Sequence, residues 1–485
     1  MLYQSHRSDC HPILKPYKGI TSDVDVVFVG TASCIPSLTR GVSCTALRLN
    51  WNRDGRAVSR KSSAKSKEKV GGIWIFDAGE CTQLQIQNVP SIKLSKITKI
   101  FITHCHGDHS FGLPGLLCLM GQAAVEKNRN DKESQIIDIY APQGLRLWLR
   151  VAIRYSQSRI CPKYRVHELM DVPMAPEWRQ SKFGRYFYQK QSNKSDWRSA
   201  IIKTMRNTKS DFGNWINFCS EEEMDDFLPA DQNFGEVPGG RQIYPDYTHP
   251  KSIEGAPVYE IINDEEVTVT AAPMSHGVPC VGYVVEEQPR SGKINPELVQ
   301  PVVMRNFDEL KANGYRHPMK ILSEIKNLDP GESFCFPDGT ELFRDDVVEG
   351  DKPGRKIVIC GDTCDSRALE NLAQNADLLV HECTNAFLQG IDRQTTMKAV
   401  NVDAITHGHS TPQIAGNFAK KIGAKNLVLN HFSSRYRGDQ DLESIKIMTR
   451  IERQAIDSSG LNEEHVACSW DFMVLPIPAK TSNKS

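Results

Sequence analysis

Apolar residues in this chain gather into short continuous runs separated by polar punctuation. Val24-Asp25-Val26-Val27-Phe28-Val29 predicts a first strand ending at Gly30, and Val42 to Asn50 alternates apolar and polar positions as a second. Ile73-Trp74-Ile75-Phe76 and Lys99-Ile100-Phe101-Ile102-Thr103 predict buried strands. Leu113 to about Lys127 predicts a helix, Asp138 to Ala141 a strand, and Gly144 to Tyr155 another helix. Strands resume at Val267–Thr270 and Cys280–Val285, then at Lys356–Cys360, Asp377–Val380 and Leu427–Leu429. Helices follow over Pro412–Ile422 and Leu442–Ile456, with a last strand near Val466–Leu475. Repeated strand–loop–helix units predict a layered α/β fold rather than a string of modules.

Four stretches break this rhythm. Residues 1–22 and 477–485 predict tails flanking one domain over 23–476. Residues 53–70 form a Ser/Lys/Arg-rich stretch with almost no apolar content, expected as a solvated, disordered loop whose alternatives are an RNA contact or a nuclear-import signal. Residues 170–255 form a charge-polarised insert. Its part from Glu177 to Lys209 is basic and aromatic, and its part from Asp211 to Glu236 is acidic. Charge pairing within the insert is the expected role, presentation of the basic half to RNA the alternative. Residues 286–354 are rich in proline and glycine and are expected to be irregular.

The chain has 485 residues, 39% hydrophobic and 24% charged, with a formal net charge of zero. A nucleic-acid partner would therefore need a local basic patch. The 14 cysteines include no CxxC pair, which fits reduced thiols in an intracellular compartment, cytoplasm or nucleus. No run approaches the ~18 apolar residues of a membrane helix, so no membrane role is expected.

The chemistry concentrates where apolar strands end. The run Lys99–Thr103 leads into His104-Cys105-His106-Gly107-Asp108-His109. Imidazole nitrogens with a carboxylate oxygen are donors that zinc accepts. These four ligand-type residues cannot all reach one tetrahedral ion that keeps a water, so two neighbouring ions are expected. Later strands end in the same currency: His276 after Thr270–Pro273, Asp362 after Val358–Cys360, His381-Glu382 after Leu378–Val380, and His431 after Val428–Asn430.

Together with Gly79-Glu80-Cys81-Thr82-Gln83, Phe111-Gly112-Leu113-Pro114-Gly115-Leu116, His381-Glu382-Cys383-Thr384, His409-Ser410-Thr411 and His431-Phe432-Ser433-Ser434-Arg435-Tyr436, this pattern resembles ribonuclease Z of the metallo-β-lactamase superfamily. The resemblance runs from Val24 to about Pro476. It implies an α/β fold, a four-layer αββα sandwich with a protruding tRNA-binding arm, here 286–354. It also implies a zinc-dependent endonuclease that removes 3′ trailers from precursor tRNA. One zinc would take His104, His106 and His276, a second Asp108, His109 and His431, with Asp362 bridging. His409 would act as general acid, oriented by Glu382, and Asp108 as proton acceptor; His381 and His407 are read as structural. Arg40 and Ser43, in a loop resembling one near the acceptor end of the tRNA, and Arg435 and Tyr436 are the expected substrate contacts. Arg305, Lys311, Arg316, Lys320 and Lys326 would supply electrostatics to the arm, and the short form implied by the chain length would be a homodimer. The alternatives are another hydrolase of the superfamily, a phosphodiesterase or thioesterase, or a non-catalytic RNA-binding relative.

Overall fold

The computed structural model describes residues 22–49, 72–127, 136–174, 230–253, 255–289, 292–350 and 352–480. The tail before Ser22, the 53–70 loop and the polarised stretch 177–229 lie outside these residues.

The first sheet contains β1 (Val24–Gly30), β2 (Cys44–Leu49), β3 (Gly72–Phe76), β4 (Ile97–Phe101), β5 (Ile137–Pro142), β6 (Tyr164–Leu169) and β7 (Gln242–Ile243). The chain then supplies β8 (Tyr259–Asn263), β9 (Val267–Pro273) and β10 (Val281–Glu287) to a second sheet. The short β11 (Ser333–Cys335) and β12 (Glu341–Phe343) pair with each other. The second sheet is completed by β13 (Lys356–Ile359), β14 (Leu378–Glu382), β15 (Leu427–Asn430) and β16 (Val466–Cys468), and β17 (Met473–Pro476) returns to the first. The orders are β17-β1-β2-β3-β4-β5-β6-β7 and β16-β15-β14-β13-β10-β9-β8. From β3 to β7, and from β13 to β16, neighbouring strands run parallel.

Parallel strands are buried on both faces, which explains their continuous apolar runs. Ile73, Ile75 and Ile100 pack with Leu113, Leu116 and Leu117 of helix α1 (Leu113–Lys127) and Leu145, Leu149 and Ile153 of α2 (Leu145–Tyr155). On the opposite face, Phe76 and Phe101 stack at 4.8 Å and meet Tyr283 of β10 edge-on at 5.8 and 5.3 Å. Burying such a ring contributes about 1.5–3 kcal/mol. The Tyr283 hydroxyl donates to the Ile102 carbonyl at 2.7 Å, tying sheet to sheet. The outer face of the second sheet packs Leu379, Leu427 and Leu429 against Phe418 of α3 (Pro412–Lys421) and Met448 and Ile451 of α4 (Leu442–Ser459). The layers are thus helix, sheet, sheet, helix, the αββα sandwich expected.

Several expectations need correction. The single last strand is two, β16 and β17, because Phe472 takes a left-handed φ of 68° and the chain crosses between sheets. Ser469 N–H still bonds Leu429 in one sheet, whereas Phe472 N–H bonds Phe28 in the other. Ile477, read as the start of a tail, is buried and donates to the Val24 carbonyl. The strands β6 and β8 and the helix Met397–Thr406 are additions. Within the insert range, β7 extends the first sheet, and Glu236 pairs with Arg150 of α2 through two 2.7 Å bonds; the insert's basic half lies outside the described residues.

Glu286–Arg355 falls in a second compact unit and is not irregular. Helices Pro296–Arg305, Phe307–Ala312 and Ile321–Lys326 enclose a core of Val299, Val303, Leu310, Ile321, Ile325 and Phe336, and Arg355 and Glu287 form a buried bidentate pair.

Because Arg150 and Glu236 are both buried, Arg150→Ala would strand a carboxylate and cost about 3–5 kcal/mol. Chemical denaturation measures this, and a loss below about 1 kcal/mol would contradict the assignment.

Candidate metal centre

The ligand-type residues come from strand ends of both sheets. After β4 the chain makes one helical turn, Gly107–Ser110, instead of an open loop. The turn is clamped from β3: Ala78 N–H donates to the His109 carbonyl at 2.7 Å and Gly112 N–H to the Ala78 carbonyl at 2.9 Å. Residue 79 must be glycine, since a Cβ there would lie 2.1 Å from the Asp108 carbonyl oxygen.

Two donor groups result, one of His104, His106, His276 and Asp362, the other of Asp108, His109, His431 and Asp362; within each, the donor atoms lie within 4.8 Å of one another. In the first, His106 Nδ1 is 3.1 Å from His104 Nε2 and 3.2 Å from His276 Nε2. Asp362 Oδ2 stands 3.8 and 3.9 Å from the two Nε2 atoms. In the second, His109 and His431 Nε2 are 3.1 Å apart and each 3.3 Å from Asp362 Oδ1, while Asp108 Oδ2 is 3.4 and 3.3 Å from them. Each Asp362 oxygen thus faces one group.

The ring orientations are fixed from behind. Asp77 Oδ2 accepts His109 Nδ1–H at 2.7 Å, and Gly408 O accepts His276 Nδ1–H at 2.9 Å. The Thr103 hydroxyl donates to Asp77 at 2.9 Å and so accepts from His104 Nδ1 at 3.0 Å. The Thr384 hydroxyl donates to Glu382 at 2.9 Å and accepts from His431 Nδ1 at 3.0 Å. Four histidines therefore bond through Nδ1 behind and turn Nε2 inward, the atom that a metal would take once any proton on it is displaced. Asp77 and His431 hold left-handed φ values of 61°, strain that this geometry stabilises.

Charge and spacing test the fit to zinc. Asp77, Asp108, Asp362 and Glu382 are all buried, and among the described residues only histidines form ion pairs with them. Burial keeps His104 and His276 neutral, the latter's pKa lowered to about 4. Burial also opposes charge on His109, yet Asp362, Asp108 and Asp77 outweigh it and hold that ring protonated, a proton standing where positive charge is required. Ligands ~2.1 Å from a tetrahedral zinc lie ~3.4 Å apart; the donor pairs measured above are 3.1–3.9 Å apart and all donors of a group lie within 4.8 Å. The residues fit zinc.

Beside the shared carboxylate, Glu382 Oε1 accepts from His409 Nδ1 at 3.0 Å and from Thr363 N–H at 3.0 Å. Burial disfavours the His409 imidazolium, but Glu382 and Asp362 raise its pKa to about 9. His381 is buried between the Ser366 hydroxyl and the Glu382 carbonyl, and His407 is exposed at a helix end; neither belongs to a donor group.

No protein-family model matches the chain. Human zinc phosphodiesterase ELAC protein 1 is 33% identical over 474 residues, covering 94% of this chain and 99% of the relative. The chain belongs to the ribonuclease Z family. The ribonuclease Z of Streptococcus pneumoniae is 28% identical over 423 residues, covering 87% of this chain and 93% of its own. The structure of human tRNase Z, short form, aligns over 94% of this chain and 99% of its own at 27% identity with a TM-score of 0.49.

The expected substrate residues separate. Arg40 is 2% exposed with its guanidinium turned into the protein, and Tyr436 is 1% exposed with its hydroxyl against Ala386 and Asn385, so neither presents a surface to phosphate. Ser43 is also buried, its hydroxyl directed at Asp77. Arg435 alone keeps a partly exposed guanidinium, held by Asp392. The sequence reading passed over Asp77, Thr103 and Thr384; Asp77 carried a signal, a carboxylate immediately after a wholly apolar strand.

Asp77→Asn replaces the acceptor of the His109 Nδ1–H and is expected to weaken zinc affinity about 10–100-fold in chelator competition. Unchanged affinity would show that Asp77 does not orient the ring.

Proposed function

We propose that the chain is a zinc-dependent endoribonuclease that removes the 3′ trailer from precursor tRNA and leaves a 3′-hydroxyl on the tRNA. The observation that carries this reading is the Glu382–His409 pair set beside the carboxylate shared by two donor groups. The groups support two zinc ions per chain, and the family resemblance supports a homodimer. Zinc bound there would make water acidic enough to attack near neutral pH and would counter charge on the phosphate.

The chain's own residues supply the rest. Asp362 keeps both sets in one register. Asp108 Oδ2 accepts the Cys34 N–H at 2.7 Å, which leaves Oδ1 to take the proton from the attacking water. The departing 3′ oxygen of the tRNA is a poor leaving group unless protonated. His409 serves there: Glu382 ties its Nδ1, the ring is 14% exposed, and Nε2–H remains to be given to that oxygen. Bound dications would draw the His409 pKa down from about 9 towards neutrality, where it can donate and recover its proton.

Among the four expected substrate contacts, Arg435 is our candidate for a phosphate, since its guanidinium, held by Asp392, stays partly exposed. In the Glu286–Arg355 unit, Lys311, Arg316 and Lys320 stand exposed and Lys326 half-buried, while Arg305 is engaged by Asp338 and Thr340. Lys311 lies 4.6 Å from the Phe307 ring centroid, and the exposed cations suit the arm's role along an RNA backbone.

Zinc-replete protein incubated with a precursor tRNA is expected to cut once, after the discriminator base. His409→Ala should lower kcat by about 10²–10⁴ and Asp362→Asn should abolish cleavage. Failure of the zinc-replete wild type to cut would overturn the reading.

A further inference from the structure

Between β1 and β2 the chain forms a loop, 31–41, closed at its base where Thr31 and Ala32 N–H both donate to the Gly41 carbonyl at 2.8 Å. This loop reaches the second donor group twice. Cys34, at a left-handed φ of 64°, gives its N–H to Asp108 Oδ2 at 2.7 Å. Ser33 N–H donates to the Phe432 carbonyl and Phe432 N–H to the Thr31 carbonyl, both at 2.8 Å, so the residue after His431 is paired to the loop in both directions. The first donor group is held otherwise, by the end of β4 and the Gly408 carbonyl.

Arg40 secures the loop from inside. Its Nε donates to the Tyr436 carbonyl at 2.9 Å, and its Nη1 to the Thr31 hydroxyl at 2.6 Å and the Ser469 carbonyl at 3.0 Å. Its guanidinium carbon lies 4.8 and 5.0 Å from the ring centroids of Phe432 and Trp470. A planar fork meets all these partners; a lysine ammonium does not. The Asp471 carboxylate completes the anchor, accepting from the Thr31 hydroxyl at 2.6 Å, Gly41 N–H at 2.6 Å and Gln85 Nε2 at 3.1 Å. The Gln85 amide fills the space beside Gly41, where a Cβ would lie 2.3 Å from its nitrogen.

We infer that Arg40, with Asp471 and Gln85, is a positioning device for the second metal cradle: it fixes loop 31–41, and the loop fixes Asp108 and His431. This rests on the reading of that donor group as a zinc site. It assigns retention of the second ion to residues that touch neither ion nor substrate.

The test loads the full chain and its Arg40→Lys and Gln85→Ala variants with zinc, dialyses them against a chelator, and follows bound metal by mass spectrometry and folding by circular dichroism. The wild type should hold two equivalents. Each variant should keep its spectrum and its first equivalent while losing the other at least about 10-fold faster, as expected when a ligand's support is removed. Gln85→Ala, which deletes a single hydrogen bond, carries the test if Arg40→Lys does not fold. Loss of both equivalents together, or retention equal to the wild type, overturns the proposal. A wild type that takes up fewer than two equivalents instead overturns the two-zinc reading beneath it.

Discussion

Asp362 is the constraint on which the rest of the site depends. Its two oxygens face different donor groups, Oδ1 towards His109 and His431 and Oδ2 towards His104 and His276. It is 2% exposed and shares its surroundings with Asp77, Asp108 and Glu382, also buried. Four carboxylates in one desolvated volume repel one another and forgo hydration, a cost that histidines alone offset only by holding protons. Cations satisfy the same demand and free those protons, so metal uptake is coupled to the stability of this part of the fold.

The two-sheet sandwich makes that concentration of charge sustainable. Parallel strands β3–β4 and β13–β14–β15 deliver their ends to the site: Asp77 and the histidine turn from one sheet, Asp362, Glu382 and His431 from the other. The Phe76–Phe101–Tyr283 cluster and the Tyr283–Ile102 bond fix the separation of the sheets next to the centre. Threonine hydroxyls then set the imidazoles, since a hydroxyl that donates to a carboxylate can only accept from the ring beside it.

Much of this was legible in the chain. Ligand-type residues at the ends of apolar runs pointed to the metal centre, and the helix expected from Leu113 to about Lys127 spans Leu113–Lys127. Other features were hidden for physical reasons. The split of β16 from β17 turns on one left-handed residue, Phe472, which leaves no mark in hydrophobic periodicity. The Glu286–Arg355 unit looked irregular because its helices are only 6 to 10 residues long and Gly and Pro are scattered through it. Arg40 was expected at the substrate because its loop resembles one near the acceptor end of the tRNA; its burial depends on partners near residues 432, 436 and 469, far away in sequence.

The central claim is that water, activated in a two-metal cradle, attacks the phosphate while His409 protonates the departing 3′ oxygen of the tRNA. The chemistry of the product ends tests this most directly. Cleavage of precursor tRNA in ¹⁸O-labelled water, followed by mass spectrometry of both fragments, should place the label in a 5′-phosphate on the trailer and leave an unlabelled 3′-hydroxyl on the tRNA. A 2′,3′-cyclic phosphate on the tRNA with a 5′-hydroxyl on the trailer would mean that the ribose hydroxyl, not water, is the nucleophile, and would contradict the account.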